Sequence, residues 1–146
     1  MAETKSETML RLGGLTKVTG GAAVHGVCLI GAGHAVHASL AVFKQRLIPN
    51  IRMTSLIEGE MTGFREGMAA HGGFMTAAFA DHLPIPTKRI NVYEKNIVMC
   101  DTIEDAVKGV DTILLLLPSF AYEDCFRALK PYLKPGAFTI IDTSLL

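Results

Sequence analysis

The stretch that decides the fold runs from residue 27 to residue 38 and reads V-C-L-I-G-A-G-H-A-V-H-A. Its first four residues, Val27 to Ile30, form a short apolar run that stops at Gly31. Such a run is typical of a strand that is buried on both faces of a parallel sheet. From Ala35 to Leu47 the chain contains no Gly or Pro, and apolar residues recur at helical spacing. Pro49 follows as a stop signal, so we predict a helix there.

Outward from this stretch, apolar strands and helices continue to alternate. Further core strands are predicted over Ile51–Ile57, Ile97–Cys100, Val110–Leu117 and Ala137–Ile141. Helices are predicted around Phe64 and after a capping box at Thr102. A further helix is predicted with Ser119 as its cap. Its buried stripe is expected to contain Tyr122, Cys125, Phe126 and Leu129. The segment Gly72–Asn96, with a possible strand at Phe74–Ala80, is expected to be a hairpin excursion. We therefore predict an α/β fold with a Rossmann-like, doubly wound, mostly parallel sheet.

Composition narrows the class of protein. The chain has 146 residues, of which 49% are hydrophobic, and its 14 basic residues balance its 14 acidic ones. We expect a loosely ordered arm over residues 1–22 and one domain over 23–146. The neutral balance argues against a nucleic-acid partner, and no uncharged apolar run reaches the length of about 18 residues that a membrane helix needs. The widely spaced Cys28, Cys100 and Cys125 predict free thiols in the cytoplasm and no metal site.

The turn Gly31-Ala32-Gly33 occupies the position of a dinucleotide-binding fingerprint. Gly31 would permit a tight turn, and Gly33 would let the backbone approach a pyrophosphate. The free amides at the start of the next helix, with His34 and Ala35 as its first residues, would then hold the anion. Val36 stands at the third fingerprint position, where Gly or Ala is usual, so we expect it to push the helix away from the sheet or to require local adjustment. The alternative is a glycine turn that serves only chain reversal.

Two other loops are expected to border the same ligand. Glu58 follows the predicted second strand and would accept hydrogen bonds from the adenine ribose, with Glu60 as the neighbouring candidate. An acid there repels a 2′-phosphate, so NAD is favoured over NADP, although Arg65 could reverse this preference. Glu58 could equally be an ordinary solvated carboxylate. After the fourth core strand, Pro118, Ser119 and Phe120 would form an apolar wall, unless they are a simple turn.

Two segments resemble the octopine/nopaline (opine) dehydrogenase family. That family has a G-x-G-N-G-x-H-A pattern, and here Gly31, Gly33, His37 and Ala38 match it, while His34 replaces Asn and Ala35 replaces Gly. The second segment lies between Asp101 and Leu129 and contains Gly109-Val110-Asp111 and then P-S-F-A-Y-E over 118–123, with Tyr122 in place of the family's His. Ketopantoate reductases and glycerol-3-phosphate dehydrogenases form a wider group that shares much of this pattern.

The resemblance implies an NAD(P)-dependent oxidoreductase that condenses an α-keto acid with an amino acid and reduces the imine. The family carries its catalytic side chains on a helical C-terminal domain that follows the cofactor-binding domain. We therefore expect a cofactor-binding domain that is not catalytically complete alone, with catalytic residues unassigned and a tendency to form a homodimer. A nucleotide-sensing module without catalysis is the main alternative. An S-adenosylmethionine-dependent methyltransferase is a further one.

Overall fold

The computed structural model describes residues 25–45, 48–77, 88–94, 96–136 and 139–142. The predicted arm at residues 1–22 and the whole segment between the hairpin strands, residues 78–87, lie outside the described residues. So do the start of the predicted last strand and the end of the predicted first helix.

A five-stranded parallel sheet forms the centre of the fold, as the alternation of strands and helices predicts. Its strands, in chain order, are β1 (Val27–Ile30), β2 (Ile51–Thr54), β5 (Ile97–Met99), β6 (Thr112–Leu115) and β7 (Thr139–Asp142). The order across the sheet is β5-β2-β1-β6-β7, and each neighbouring pair is parallel. This is the strand order of a doubly wound nucleotide-binding sheet, so the predicted fold class is confirmed.

The helices cover both faces of the sheet. They are α1 (His34–Gln45), α2 (Glu60–Ala70), α3 (Ile103–Ala106) and α4 (Tyr122–Leu129). Alternate residues of β1 enter opposite core clusters, because successive side chains of a strand point to opposite faces. Val27 and Leu29 pack with residues of α1 and α2, whereas Cys28 and Ile30 pack with residues of α3 and α4. All four β1 residues are fully buried, which explains their uninterrupted apolar character.

The excursion between β2 and β5 contains the predicted antiparallel hairpin. Strands β3 (Phe74–Ala77) and β4 (Lys88–Asn91) pair with each other and not with the main sheet. An ion pair between Lys44, in the last turn of α1, and Glu94 connects this region to the main body. The same lysine donates to the Asn96 side chain at 3.1 Å, so the hairpin returns to the edge of the sheet where β5 begins.

Several predicted boundaries and one predicted cap are wrong. Strand β2 ends at Thr54, not at Ile57. The predicted helix around Phe64 is present, over Glu60–Ala70. Ser119 does not cap α4; it begins a short 3₁₀ turn, and α4 starts at Tyr122 without a side-chain cap. Phe126 is 43% exposed, so it does not belong to the buried stripe. The capping contact at Thr102 is confirmed, since its hydroxyl accepts from the Asp105 amide at 3.1 Å.

Candidate functional site

The candidate site lies at the carboxyl edge of the sheet, where the chain changes direction across it. From β1 the chain proceeds through α1 to β2 on one side, whereas β6 and β7 lie on the other side of β1. In open α/β sheets the ligand crevice forms at this switch point. The register pairs Ile30 with both Thr54 and Leu115, so the loops after β1, β2 and β6 leave the sheet side by side. These are the three loops that contain the predicted site residues.

Gly31 is required by the turn itself. Its φ is +138°, in a region that side-chain-bearing residues rarely adopt, and a Cβ atom would lie 2.5 Å from the backbone oxygen of Leu116. Its amide donates to the Thr54 carbonyl at 2.8 Å. The Leu116 amide in turn donates to the Ile30 carbonyl at 2.9 Å. The end of β1 is thus tied to both neighbouring strands, with no room for a larger residue.

Gly33 stands in a different environment, although it belongs to the same motif. It is exposed, and a Cβ atom built there meets no heavy atom within 4 Å among the described residues. Packing within the protein therefore gives no reason for a glycine at this position. The open space above Gly33 is where the fingerprint places a phosphate group.

The first turn of α1 presents free amides beside this space. The Gly33 carbonyl accepts from the amides of Val36 and His37, at 3.1 and 3.3 Å. In the part of the chain that the structure describes, the amides of His34 and Ala35 have no protein acceptor, and both residues are exposed. The helix has 12 residues. Main-chain donors without a protein acceptor at the positive end of such a helix are an arrangement that favours an anion.

Val36 at the third fingerprint position is accommodated by the core. Its side chain is fully buried and belongs to the same cluster as Val27 and Leu29 of β1. One of its methyl carbons lies 3.4 Å from the place where a Gly31 Cβ would be, so it packs closely under the turn. The valine therefore fills the contact between helix and strand, and the turn keeps its glycine geometry.

The acidic residue that interacts with the end of β2 is Glu60, because its carboxylate accepts a hydrogen bond from the hydroxyl of Ser55. Ser55 follows β2 directly and also accepts from the Ile57 amide at 3.1 Å. Glu58 lies farther along the loop and is exposed. Sequence reasoning missed Ser55, because the predicted second strand continues through it to Ile57. The role of Glu58 stays a prediction.

Arg65, which could have approached a ribose phosphate, has acceptors within the protein. Its guanidinium pairs with the Asp101 carboxylate at 2.6 Å and donates to the Met99 carbonyl at 3.2 Å. Both acceptors lie at the end of β5, the edge strand next to β2. The arginine is thus held at the outer end of the same sheet edge, beyond the loop that contains Ser55.

The loop after β6 contains the third predicted group. Pro118, Ser119 and Phe120 are all exposed, and Phe120 is 81% exposed despite its aromatic ring. The loop therefore presents apolar surface to solvent, which is what the predicted wall requires. The structure places this loop next to the glycine turn, because β6 pairs directly with β1.

Neither the histidines nor the cysteines form a metal or nucleophile site among the described residues. In those ranges no group of three His, Cys, Asp or Glu side chains is placed to hold a metal ion. All three cysteines are buried free thiols. Burial raises the pKa of the Cys125 thiol to about 11, and it also raises the pKa of Cys28 and Cys100. Protonated, inaccessible thiols are inert.

The strand order, the glycine turn and the open helix terminus define the class: a Rossmann-like α/β domain. Octopine dehydrogenase from Pecten maximus is 24% identical to this chain over 114 residues, which are 78% of the chain and 27% of that protein. A solved octopine dehydrogenase with NADH and L-arginine superposes with a TM-score of 0.63, at 23% identity, over 80% of this chain and 28% of the other. The predicted resemblance to this family is confirmed at the level of sequence and fold.

A second solved structure belongs to the wider group. Glycerol-3-phosphate dehydrogenase from Coxiella burnetii superposes with a TM-score of 0.52, at 21% identity, over 81% of this chain and 31% of the other. The chain thus spans about a quarter to a third of the length of these relatives. No protein-family model matches it. None of the helices in the described ranges is both long and apolar enough to cross a membrane.

Proposed function

We propose that this chain is the dinucleotide-binding part of an NAD(P)-dependent, opine dehydrogenase-like oxidoreductase. The observation that carries the proposal is that the amides of His34 and Ala35 have no acceptor among the described residues, beside the space that these residues leave open above Gly33 at the switch point of the sheet. Similarity to octopine dehydrogenase, a protein solved with NADH, supports the same conclusion.

In the proposed complex, the backbone from Gly31 to Ala35 holds the diphosphate. The amides of His34 and Ala35 donate to its oxygens, and the dipole of α1 adds favourable electrostatics at the helix terminus. Ala32 and Gly33 keep side-chain volume out of the approach. This binding needs no lysine or arginine, since main-chain donors and the helix terminus supply the attraction.

The loop after β2 is proposed to receive the adenine ribose. Ser55 and Glu60 form a hydrogen-bonded pair at the start of this loop, and Glu58 is exposed within it. Carboxylates accept hydrogen bonds from ribose hydroxyls and repel a 2′-phosphate. Arg65 is paired with Asp101, so the cation that could favour a phosphate already has a partner. We therefore propose a preference for NAD over NADP.

The loop after β6 is proposed to border the nicotinamide half of the cofactor. Pro118 and Phe120 present apolar surface, and Ser119 presents a hydroxyl at the same edge. The bound cofactor supplies the hydride, whereas these residues orient it and exclude water from its face. An α-keto acid and an amino acid are the proposed substrates of the complete enzyme, since the octopine dehydrogenase structures contain pyruvate or L-arginine.

Titration of the chain with NADH, NADPH and S-adenosylmethionine tests the proposal. We expect saturable NADH binding, seen as a change in nicotinamide fluorescence and confirmed by calorimetry, with weaker binding of NADPH. Preferential binding of S-adenosylmethionine would support a methyltransferase and contradict the proposal. The absence of binding by all three compounds would contradict any nucleotide role for the glycine turn.

A further inference from the structure

The Gly33 carbonyl, at the start of α1, is in contact with three donors. It accepts from the amides of Val36 and His37, and also from Nδ1 of the His37 ring at 2.9 Å. A carbonyl oxygen can only accept, so Nδ1 must be the nitrogen that carries the proton. The ring thereby adds a side-chain donor to two main-chain donors on one oxygen.

These three donors determine the orientation of a whole peptide unit. The described residues contain no cis peptide bond, so the carbonyl of Gly33 and the amide of His34 point in opposite directions from one planar group. Donors that hold the carbonyl toward the helix therefore direct the His34 amide away from it. Gly33 and His34 are both exposed, and a Cβ atom on Gly33 would meet nothing within 4 Å among the described residues, so a ligand has room beside this peptide.

The His37 ring is itself held in place by α2. Its centroid lies 5.0 Å from the centroid of the Phe64 ring, with an angle of 49° between the planes. Phe64 is buried, and His37 is half-buried between the two helices. The imidazole thus has one packed face and one nitrogen engaged with the turn, which restricts its rotamer before any ligand arrives.

We propose that His37 is a positioning residue for the diphosphate, acting through the Gly33–His34 peptide and making no contact with the cofactor itself. This inference rests on the proposed function of the glycine turn. Dinucleotide affinity then depends on the Nδ1 donor, whereas the contact with Phe64 contributes to stability. If His37 served packing alone, dinucleotide affinity would not depend on the Nδ1 donor.

Two variants separate the donor from the ring. His37→Phe keeps an aromatic ring against Phe64 and removes the donor, whereas His37→Asn keeps a nitrogen donor near the position of Nδ1 and removes the ring. We expect His37→Phe to bind NADH and ADP about 3- to 10-fold more weakly, which corresponds to one hydrogen bond. We expect His37→Asn to bind both within about 2-fold of the unchanged chain, although it unfolds at a lower temperature.

Adenosine is the matched ligand control because it lacks phosphate. Its affinity should be the same for the unchanged chain and both variants. Equal ADP affinity in His37→Phe and the unchanged chain would overturn the inference and leave the proposed function intact. An equal loss for adenosine and ADP would also overturn it, since that result indicates general damage to the fold. If the unchanged chain binds neither NADH nor ADP, the proposed function itself fails.

A measurement without ligand tests the geometry separately. Nitrogen-15 NMR of the histidine rings should show His37 with its proton on Nδ1, the less common tautomer of a free imidazole. In His37→Phe the amide resonance of His34 should shift and that of His71, on another helix end, should not. A His37 ring protonated on Nε2 alone would contradict the hydrogen bond and overturn the inference.

Discussion

Replacing Gly31 by alanine tests whether the turn after β1 has the geometry described above. The backbone there has φ +138°, and the added Cβ would lie 2.5 Å from the oxygen and 3.2 Å from the carbonyl carbon of Leu116. Both atoms are backbone atoms of a segment that bonds to Ile30, so neither can rotate away as a side chain would. The clash can be relieved only if β1 and the end of β6 move apart.

The expected cost follows from two contributions. A residue with a side chain in a glycine-only backbone region costs about 1–3 kcal/mol. Forced overpacking adds about 1–3 kcal/mol. Together they lower the free energy of unfolding by about 2–6 kcal/mol, a large part of the stability of a domain this size. With an m value of about 2 kcal/mol/M, the urea midpoint should fall by about 1–3 M.

Gly33→Ala is the matched control, since the same substitution two residues later meets open space. Its free energy of unfolding should change by less than about 1 kcal/mol, the effect of altering a helix cap. Its affinity for NADH should nevertheless fall, because the new methyl group occupies the space proposed for phosphate. Urea denaturation followed by circular dichroism measures both variants. Equal midpoints for Gly31→Ala and the unchanged chain would refute the described turn.

Three further results are expected. Asp101→Asn should release Arg65 from its ion pair. The affinity for NADPH should then rise relative to that for NADH by about tenfold, the effect of one charge-assisted hydrogen bond. An unchanged ratio of the two dissociation constants would place Arg65 outside the ribose site. Burial raises the pKa of Cys125 from 9.0 to about 11. The unfolded chain therefore loses this proton first as pH rises, so stability should decrease between pH 9 and 11, by up to about 1.4 kcal/mol per pH unit. Cys125→Ala should show a shallower decrease, and an equally steep one would contradict this cause. Leu129→Ala, at a fully buried position, should lower the free energy of unfolding by about 2–5 kcal/mol. Phe126→Ala should lower it by less than about 1.5 kcal/mol. Similar losses for the two variants would contradict the orientation of α4.

Strand ends show where prediction from sequence fails. Leu56 and Ile57 are apolar residues that follow β2 closely, so the sequence predicts a strand as far as Ile57. A strand continues only while a neighbour supplies hydrogen bonds, however, and β1 turns away at Gly31 just beyond the pair Ile30 and Thr54. The boundary of β2 is therefore set by its neighbours, since β1 ends at Ile30 and β5 ends at Met99. No local pattern between residues 51 and 57 contains that information.

The prediction of which side of α4 is buried fails for a related reason. Phe126 lies one residue beyond Cys125 and at helical spacing from Tyr122, so apolar character assigns it to the buried stripe. In the structure Cys125 and Leu129 face the sheet, and Phe126 is turned toward solvent with its ring 6.5 Å from that of Tyr122. Which apolar residue of a two-turn helix is covered depends on how the helix crosses the sheet, and the spacing alone does not specify that angle.

The sequence by itself determined the strand-glycine-helix unit at residues 27–45, the alternation that implies a parallel sheet, and the position of the glycine turn at the end of β1. These are local properties, because an unbroken apolar run and a residue without a side chain have the same consequence in any surroundings. Only the tertiary structure decided that Ser55 and Glu60 meet beside the crevice, that Arg65 is held by Asp101, and that His37 reaches back to the Gly33 carbonyl. The first joins residues only five apart and depends on where β2 ends and α2 begins. The second joins residues 36 apart, and the third depends on a rotamer held between two helices. Such contacts exist only once packing has brought the groups together.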